Sequence, residues 1–213
     1  MNEAHRPRFG SSALLTIDTQ ADTLDGQPLE IAGSSAAVPN IARLARAFRR
    51  AGRPIVHVVR LYKADGSNAE ACRRQLVRGE TPVLRPGTTG RLLAPGLLDE
   101  GAPELDDGLL LAGGIQRLGE NEVAMYKPRW GAFFQTPLEA HLRSLGVDTL
   151  VFAGCNFPNC PRTSVYEASE RDYGVALVDD AVSGLYDRGR EEMRTIGVSL
   201  PGTQEVVDGL GER

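Results

Sequence analysis

Residues 148–169 have the sequence DTLVFAGCNFPNCPRTSVYEAS, and this stretch decides the fold. Its first six residues are mainly apolar and end at a turn signal, Gly154, which predicts a buried strand. A short loop follows. A helix is then predicted from Cys160, with Pro161 at a first-turn position where a missing N–H is harmless. A strand, a loop and a helix in this order are typical of a β-α-β unit.

The same alternation of strands and helices continues along the chain, which predicts a parallel sheet covered by helices. The other predicted strands are residues 13–18 (ALLTID), 54–60 (PIVHVVR), 121–127 (NEVAMYK), 175–178 and a short closing strand at 205–207. The other predicted helices are residues 38–51, 137–145 and 187–196. No composition shift marks a boundary, so we predict one domain over residues 1–213, with residues 1–12 flexible.

One long segment, residues 79–119, is rich in Gly, Pro and Leu and has weak periodicity. It is predicted to be loop with short elements, forming either part of a lid or a subunit contact.

The composition excludes several classes of protein. Of the 213 residues, 41% are hydrophobic and 24% charged, which is ordinary for a globular domain. A net charge of -4 argues against non-specific binding to nucleic acid or to anionic membranes. The sequence contains no run of 18 apolar residues, so no membrane span is predicted, and the N-terminus lacks the apolar core of a signal peptide. Three cysteines without such a signal indicate reduced thiols in the cytoplasm.

Three reactive side chains lie at the carboxyl ends of predicted strands, where parallel sheets form their ligand crevice. Asp18 ends the first strand, Lys127 ends the third, and Cys160 follows the fourth. A helix N-terminus and a nearby ammonium both lower a thiol pKa, and a carboxylate can accept the thiol proton. The set therefore suits covalent acyl transfer. The backbone N–H groups of Asn156 and Cys160 are the candidate oxyanion hole.

Three motifs carry a family resemblance: residues 13–22 (ALLTIDTQAD), 126–155 (YKPRWGAFFQTPLEAHLRSLGVDTLVFAGC) and 156–184 (NFPNCPRTSVYEASERDYGVALVDDAVSG). In this order they resemble the isochorismatase-like cysteine hydrolases, which include nicotinamidases, N-carbamoylsarcosine amidohydrolase and ureidoacrylate-type hydrolases. The resemblance implies a doubly wound, mainly parallel α/β sheet of about six strands with helices on both faces, in three layers of Rossmann type.

For the site, the resemblance implies a catalytic triad of Cys160, Asp18 and Lys127. It also implies a non-proline cis peptide just after Gly154, at Cys155–Asn156, and assembly into homodimers or homotetramers.

Two departures from the family pattern bear on the pocket. Many relatives have Gln-Asn-Asp-Phe after the first catalytic Asp, whereas here Gln20 is followed by Ala-Asp-Thr. Nicotinamidases carry an Asp-x-His motif and a second His for a metal, and this chain has no Asp-x-His. Cys155 and Cys160 have four residues between them, but Cys72 and three scattered histidines do not complete a zinc site. We therefore expect no metal and no cofactor, and interpret Cys155 as a packed residue.

The candidate substrate-binding residues are Gln20, Arg60, Tyr62, Trp130, Phe133 and Phe157. Arg60 could hydrogen-bond a carbonyl or carboxylate of the substrate, and the aromatic residues after Lys127 could form a wall that excludes water. Taken alone, Arg60 is as well explained as a surface residue. His57 is interpreted as a core or supporting residue. Arg162 either points into the site or pairs with Glu167 or Asp172.

The predicted activity is hydrolysis of the C–N bond of a small amide, carbamoyl or ureido compound through a thioester on Cys160. Considered alone, Asp18 is best explained as a helix or turn cap and Lys127 as a solvated lysine. Cys160 alone is best explained as a small buried apolar residue. The catalytic interpretation depends on the three occurring together. The alternatives are an isochorismatase-type vinyl-ether hydrolase and a catalytically idle binding protein on the same scaffold.

Overall fold

The structure, a computed structural model, describes residues 7–211. Six strands form one sheet in the order β3-β4-β2-β1-β5-β6. Their bounds are β1 Ser12–Ile17, β2 Ile55–Val59, β3 Ile115–Arg117, β4 Glu122–Tyr126, β5 Thr149–Gly154 and β6 Gly174–Val182. Only β3 runs antiparallel to its neighbour; the other pairs are parallel. The predicted doubly wound, mainly parallel sheet is confirmed.

Seven α-helices surround the sheet in the described part of the chain. They are α1 Ser34–Arg50, α2 Arg74–Val77, α3 Asp107–Leu111, α4 Leu138–Ser144, α5 Cys160–Ser169, α6 Asp187–Thr195 and α7 Thr203–Gly211. Within residues 7–211, no helix is long and apolar enough to cross a membrane.

The central strand β1 is buried along its whole length because both faces of the sheet are covered. Successive side chains of a strand point to opposite faces. Leu15 and Ile17 accordingly belong to a core with residues of α4, α5 and α6, whereas Leu14 belongs to a second core with residues of α1 and α7. The uninterrupted apolar run of this strand therefore follows from its central place between two helical layers.

Gly154, the last residue of β5, sits where no side chain fits. Its φ is +124°, and a Cβ placed there would lie 2.1 Å from the backbone oxygen of Ile17. The next residue, Cys155, donates its N–H to that same oxygen at 2.9 Å. The glycine thus lets β5 and β1 stay paired to their carboxyl ends while the chain turns toward α5.

Two predictions about backbone were wrong. Residues 205–207 lie in α7 and not in a strand, because Val206 buries its side chain in the core shared with α1. The sixth strand is instead the three-residue β3, inside the segment 79–119, and is too short to give a periodic signal. The cis peptide implied after Gly154 is also absent: residues 7–211 contain no cis peptide bond, and the positive φ of Gly154 makes the turn.

The predicted flexible N-terminus covers residues 1–12. Of these, residues 1–6 lie outside the described residues. Phe9–Ser11 form a 3-10 turn, and Phe9 packs against the core that contains α1 and α7.

Candidate active site

Asp18, Lys127 and Cys160 meet at the carboxyl edge of the sheet. Lys127 Nζ lies 2.9 Å from Asp18 Oδ2. Asp18 and Lys127 each follow the last residue of a strand and still extend the ladder, donating their N–H groups to Val58 and Val59 at 3.0 Å. Cys160 is the first residue of α5. The strand ladder therefore fixes two of the three residues, and the helix start places the third.

The Asp18 carboxylate is held in an unusual state. Its φ of +48° lies in the left-handed region, which non-glycine residues seldom adopt outside turns and functional sites. One oxygen contacts the fully buried Lys127 ammonium. The other, Oδ1, is buried and has no hydrogen-bond partner among the described residues. Asp18 thus keeps one oxygen free to accept a proton.

Cys160 is almost fully buried, and the pKa of its thiol is raised to about 12, with burial as the largest cause. The negative charge of Asp18 contributes to this rise, and the positive charge of Lys127 only partly opposes it. The sequence predicted a lowered pKa, and the structure reverses that prediction because desolvation and the carboxylate outweigh the ammonium. The resting site is a neutral thiol beside an ion pair, so attack requires a base.

The loop before α5 offers two free backbone donors. Cys155 donates its N–H to Ile17 O, and Phe157 donates its N–H to Ser183 O at 2.8 Å. Among residues 7–211, the N–H groups of Asn156 and Cys160 have no such acceptor. They are the two donors predicted as the oxyanion hole, and both remain available to a ligand.

A cavity of about 20 Å³ lies above these groups, about the space of one water molecule. Its lining is Asp18, Thr23, Leu29, Ile31, Arg60, Tyr62, Arg73, Leu84, Trp130, Cys155, Asn156 and Cys160. Arg60, Tyr62 and Trp130 therefore lie where the sequence placed them. The Arg60 guanidinium is already engaged, with Glu70 Oε2 at 2.6 Å and the Lys127 carbonyl at 3.1 Å.

Three predicted substrate-binding residues do not line this cavity. The side chain of Gln20 is buried and braces two loops, donating Nε2 to the Arg60 and Arg91 carbonyls and accepting the Arg60 N–H at 2.8 Å. Phe133 is buried in the core against Tyr173. Phe157 is fully buried.

Several lining residues escaped the sequence analysis. Leu29, Leu84 and Arg73 come from irregular segments that have no periodic pattern, so their shared location had no signal in the sequence. Cys155 is buried as expected and also reaches the cavity, where burial raises the pKa of its thiol. Thr23, at the position where many relatives have Phe, leaves a polar hydroxyl at the cavity.

Other singled-out polar residues lie elsewhere. His57 is a core residue, as interpreted, and its ring bonds Thr16 Oγ1 at 2.7 Å and Glu122 Oε1 at 2.6 Å. Arg162 pairs with Glu192 at 2.7 Å, a partner that the sequence did not suggest. Within the described ranges, no group of three His, Cys, Asp or Glu side chains is arranged to hold a metal ion.

The fold is that of a doubly wound α/β protein, and comparison with known proteins gives the family. A model of the isochorismatase domain matches residues 12–196, and the chain belongs to the isochorismatase family.

Three relatives show how widely the similarity extends. A protein of Arabidopsis thaliana named probable inactive nicotinamidase is 32% identical over 206 residues, covering 93% of this chain and 95% of that protein. The maleamate amidohydrolase of Pseudomonas putida is 33% identical over 184 residues, covering 84% and 75%. The crystal structure of an isochorismatase family protein from Desulfovibrio vulgaris has a TM-score of 0.78 and 32% identity, covering 95% and 99%.

Proposed function

We propose that this protein is a cysteine-dependent amidohydrolase that cleaves the C–N bond of a small amide, carbamoyl or ureido compound. The observation that carries the proposal is the state of Asp18, whose Oδ2 is paired with Lys127 while its Oδ1 is buried without a partner among the described residues, and whose charge acts on the thiol of Cys160. A buried polar atom without a partner costs free energy, so it calls for a function. Here that function is to accept the thiol proton.

In the first half-reaction, the S–H proton of Cys160 moves to Asp18 Oδ1 as Sγ attacks the carbonyl carbon. The carbonyl electron pair moves to oxygen, and the N–H groups of Asn156 and Cys160 stabilise the oxyanion. The C–N bond then breaks and Asp18 returns its proton to the leaving nitrogen. Ammonia or an amine departs, and the acyl group stays on Sγ as a thioester.

In the second half-reaction, water attacks the thioester carbon and gives a proton to Asp18. The C–S bond breaks, the carboxylic acid leaves, and the proton returns to Sγ. Lys127 Nζ lies 2.9 Å from Asp18 Oδ2, and its positive charge favours the ionised form of the carboxyl group, which is the form that can accept a proton. The cavity is tight, so we expect exposed residues at its rim, such as Trp130, to move when substrate binds.

The same proposal includes a small-molecule substrate, no cofactor, no nucleic-acid or membrane partner, assembly as a homodimer or homotetramer, and a cytoplasmic location. The net charge of -4 supports the part that concerns nucleic acid and anionic membranes. The maleamate amidohydrolase relative supports the C–N chemistry. The relative named as a probable inactive nicotinamidase keeps the idle scaffold as a second candidate.

The test is ammonia release from a panel of small amides, ureas and carbamoyl amino acids. Wild-type protein is compared with Cys160→Ala and with the matched control Cys72→Ala, whose cysteine is exposed and outside the cavity. We expect release by wild type and the control and none by Cys160→Ala. Hydrolysis of a vinyl ether that survives thiol alkylation would favour the isochorismatase-type reaction. No turnover of any compound would favour the idle scaffold.

A further inference from the structure

The charges that line the cavity do not cancel. Asp18 is paired with Lys127 at 2.9 Å, and Arg60 is paired with Glu70 at 2.6 Å. Arg73 is the third charged residue of the lining, and within residues 7–211 it has no ion pair and no side-chain hydrogen bond. The lining therefore carries one positive charge, that of Arg73, which no ion pair compensates in the described part of the chain.

Arg73 is held on a folded element beside the cavity. It ends the 3-10 turn Ala71–Arg73, directly before α2, and is half-buried. The surrounding segment has its own apolar cluster, which we name the cap: Tyr62, Ala69, Val77, Val83 and Leu84, with Leu29 packed against it. Burial raises the pKa of Tyr62, and the nearby charge of Arg73 lowers it in part. Arg73 thus lies close to Tyr62, inside the electrostatic reach of the site.

We propose that Arg73 selects substrates that carry an anionic group, such as a carboxylate, in addition to the bond that is cleaved. This deepens the proposed function and rests on it. A guanidinium binds a carboxylate through two parallel N–H···O bonds, and a partly buried one loses little of that interaction to water. Leu29 and Leu84 of the cap also line the cavity and are apolar, and the hydroxyl of Tyr62, the third cap residue of the lining, already accepts a hydrogen bond from Arg60 at 3.3 Å. The substrate class is then a short carboxylic acid that bears an amide, carbamoyl or ureido group.

The first test needs no substrate. Iodoacetate and iodoacetamide are similar in size and differ in charge, so their rates of alkylation at Cys160 report the preference of the cavity for an anion. We expect the iodoacetate-to-iodoacetamide rate ratio, measured by mass spectrometry of the Cys160 peptide, to fall about tenfold in Arg73→Gln. Arg73→Lys should retain part of the ratio. The control Arg74→Gln removes the same charge from an exposed neighbour outside the lining and should change the ratio by less than about twofold.

The second test compares a short dicarboxylic acid monoamide with the methyl ester of its free carboxyl group. Arg73→Gln should raise KM for the anionic amide about tenfold or more and leave kcat/KM for the neutral ester unchanged. An equal loss on both compounds, or an unchanged alkylation ratio, would overturn the role of Arg73. If Cys160 reacts with neither reagent, the comparison of KM for the anionic amide and the neutral ester decides the role of Arg73. A tenfold shift in the alkylation ratio without turnover of any amide would retain the inference and refute the proposed function.

Discussion

Two buried carboxylates lie toward opposite ends of the sheet, and they are bonded very differently. Glu122, the first residue of β4, has both oxygens satisfied: Oε1 by His57 and Arg49 at 2.6 Å, and Oε2 by Arg49 at 2.7 Å. Asp18, just past β1, has one oxygen on Lys127 and the other unpaired among the described residues. Both are carboxylates beside a cation, so the difference lies in the bonding of the second oxygen.

The two carboxylates belong to different kinds of charge cluster. The cluster of Glu122 is structural, and the cluster of Asp18 is the one that we propose to be reactive. Burial alone raises the pKa of Glu122, but hydrogen bonds from His57 and Arg49 outweigh it and hold the pKa at about 2. A hydrogen-bond network in which every polar atom has a partner is rigid, and none of its atoms is free to accept another proton. At Asp18, by contrast, one carboxylate oxygen is unpaired, and the Cys160 thiol keeps its proton with a pKa of about 12. In the proposed mechanism this proton moves from the thiol to the unpaired oxygen. We expect mutations at the two clusters to affect different properties.

The largest expected effect is on activity. Cys160→Ala should lower amide hydrolysis on the order of 10³-fold or more, because no other group forms the thioester. Its free energy of unfolding should change by no more than about 1 kcal/mol, because only a small neutral side chain is lost. Kinetics of ammonia release and chemical denaturation measure the two quantities. Full activity in this variant would contradict the reactive role of the Asp18 cluster.

The opposite pattern is expected at the other cluster. Glu122→Gln should lower the free energy of unfolding by about 3 kcal/mol at pH 7, because Arg49 loses its buried counter-charge and keeps only the exposed Asp99. The kcat of the folded fraction should stay within about twofold of wild type. Urea unfolding and active-site titration check this. A large loss of kcat with unchanged stability would break the distinction between the two clusters.

The pH dependence follows from the depressed pKa of Glu122. The folded pKa is about 2 against an ordinary value of 4.5. The stabilisation is therefore fully present above about pH 4.5 and is lost as the pH falls through about 2, in total about 3 kcal/mol. The stability difference between wild type and Glu122→Gln should shrink over this window. A difference that stays constant between pH 5 and pH 2.5 would contradict the assignment.

A smaller loss of stability is expected from a mutation of Gln20. This residue lies near the candidate active site, but its side-chain amide oxygen and nitrogen are both hydrogen-bonded. Gln20→Leu removes the acceptor of the Arg60 N–H and the donor to two carbonyls, which should cost about 2 kcal/mol. Thermal unfolding measures the cost, and KM should rise only modestly because Gln20 does not line the cavity. If Gln20→Leu lost as much kcat as Cys160→Ala, the role of a buried polar residue would depend on how near it lies to the site and not on whether its polar atoms are hydrogen-bonded.

The sequence predicts the layered fold well where local pattern and tertiary environment agree. The apolar run of β1 and the turn at Gly154 are dictated by burial and by backbone space, and both were found where predicted. The strand predicted at 205–207 failed because an apolar pair fits either a strand or one face of a helix. The three-residue β3 depends on pairing with β4 and has no periodicity of its own.

The candidate site, like the fold, could be predicted from the sequence only in part. Asp18, Lys127 and Cys160 could be placed together because strand ends converge on one edge of the sheet. The direction of the Cys160 pKa shift could not be predicted, since its largest cause is the depth of burial, which the sequence does not give. Arg73 was also missed, because its approach to the cavity depends on how the cap packs.

The last prediction concerns the thiol itself and separates thiolate formation from catalysis. Asp18→Asn removes the negative charge that raises the Cys160 pKa and leaves the Lys127 charge that lowers it, so the thiol pKa should fall. Alkylation of Cys160 by iodoacetamide at pH 7 should then be about tenfold faster than in wild type, for each unit by which the pKa falls. Amide hydrolysis should nevertheless drop, because the group that carries the proton to the leaving nitrogen is gone. Glu122→Gln is the control, and its alkylation rate should match wild type in the folded protein. Slower alkylation of Asp18→Asn would contradict the conclusion that the charge of Asp18 raises the Cys160 pKa.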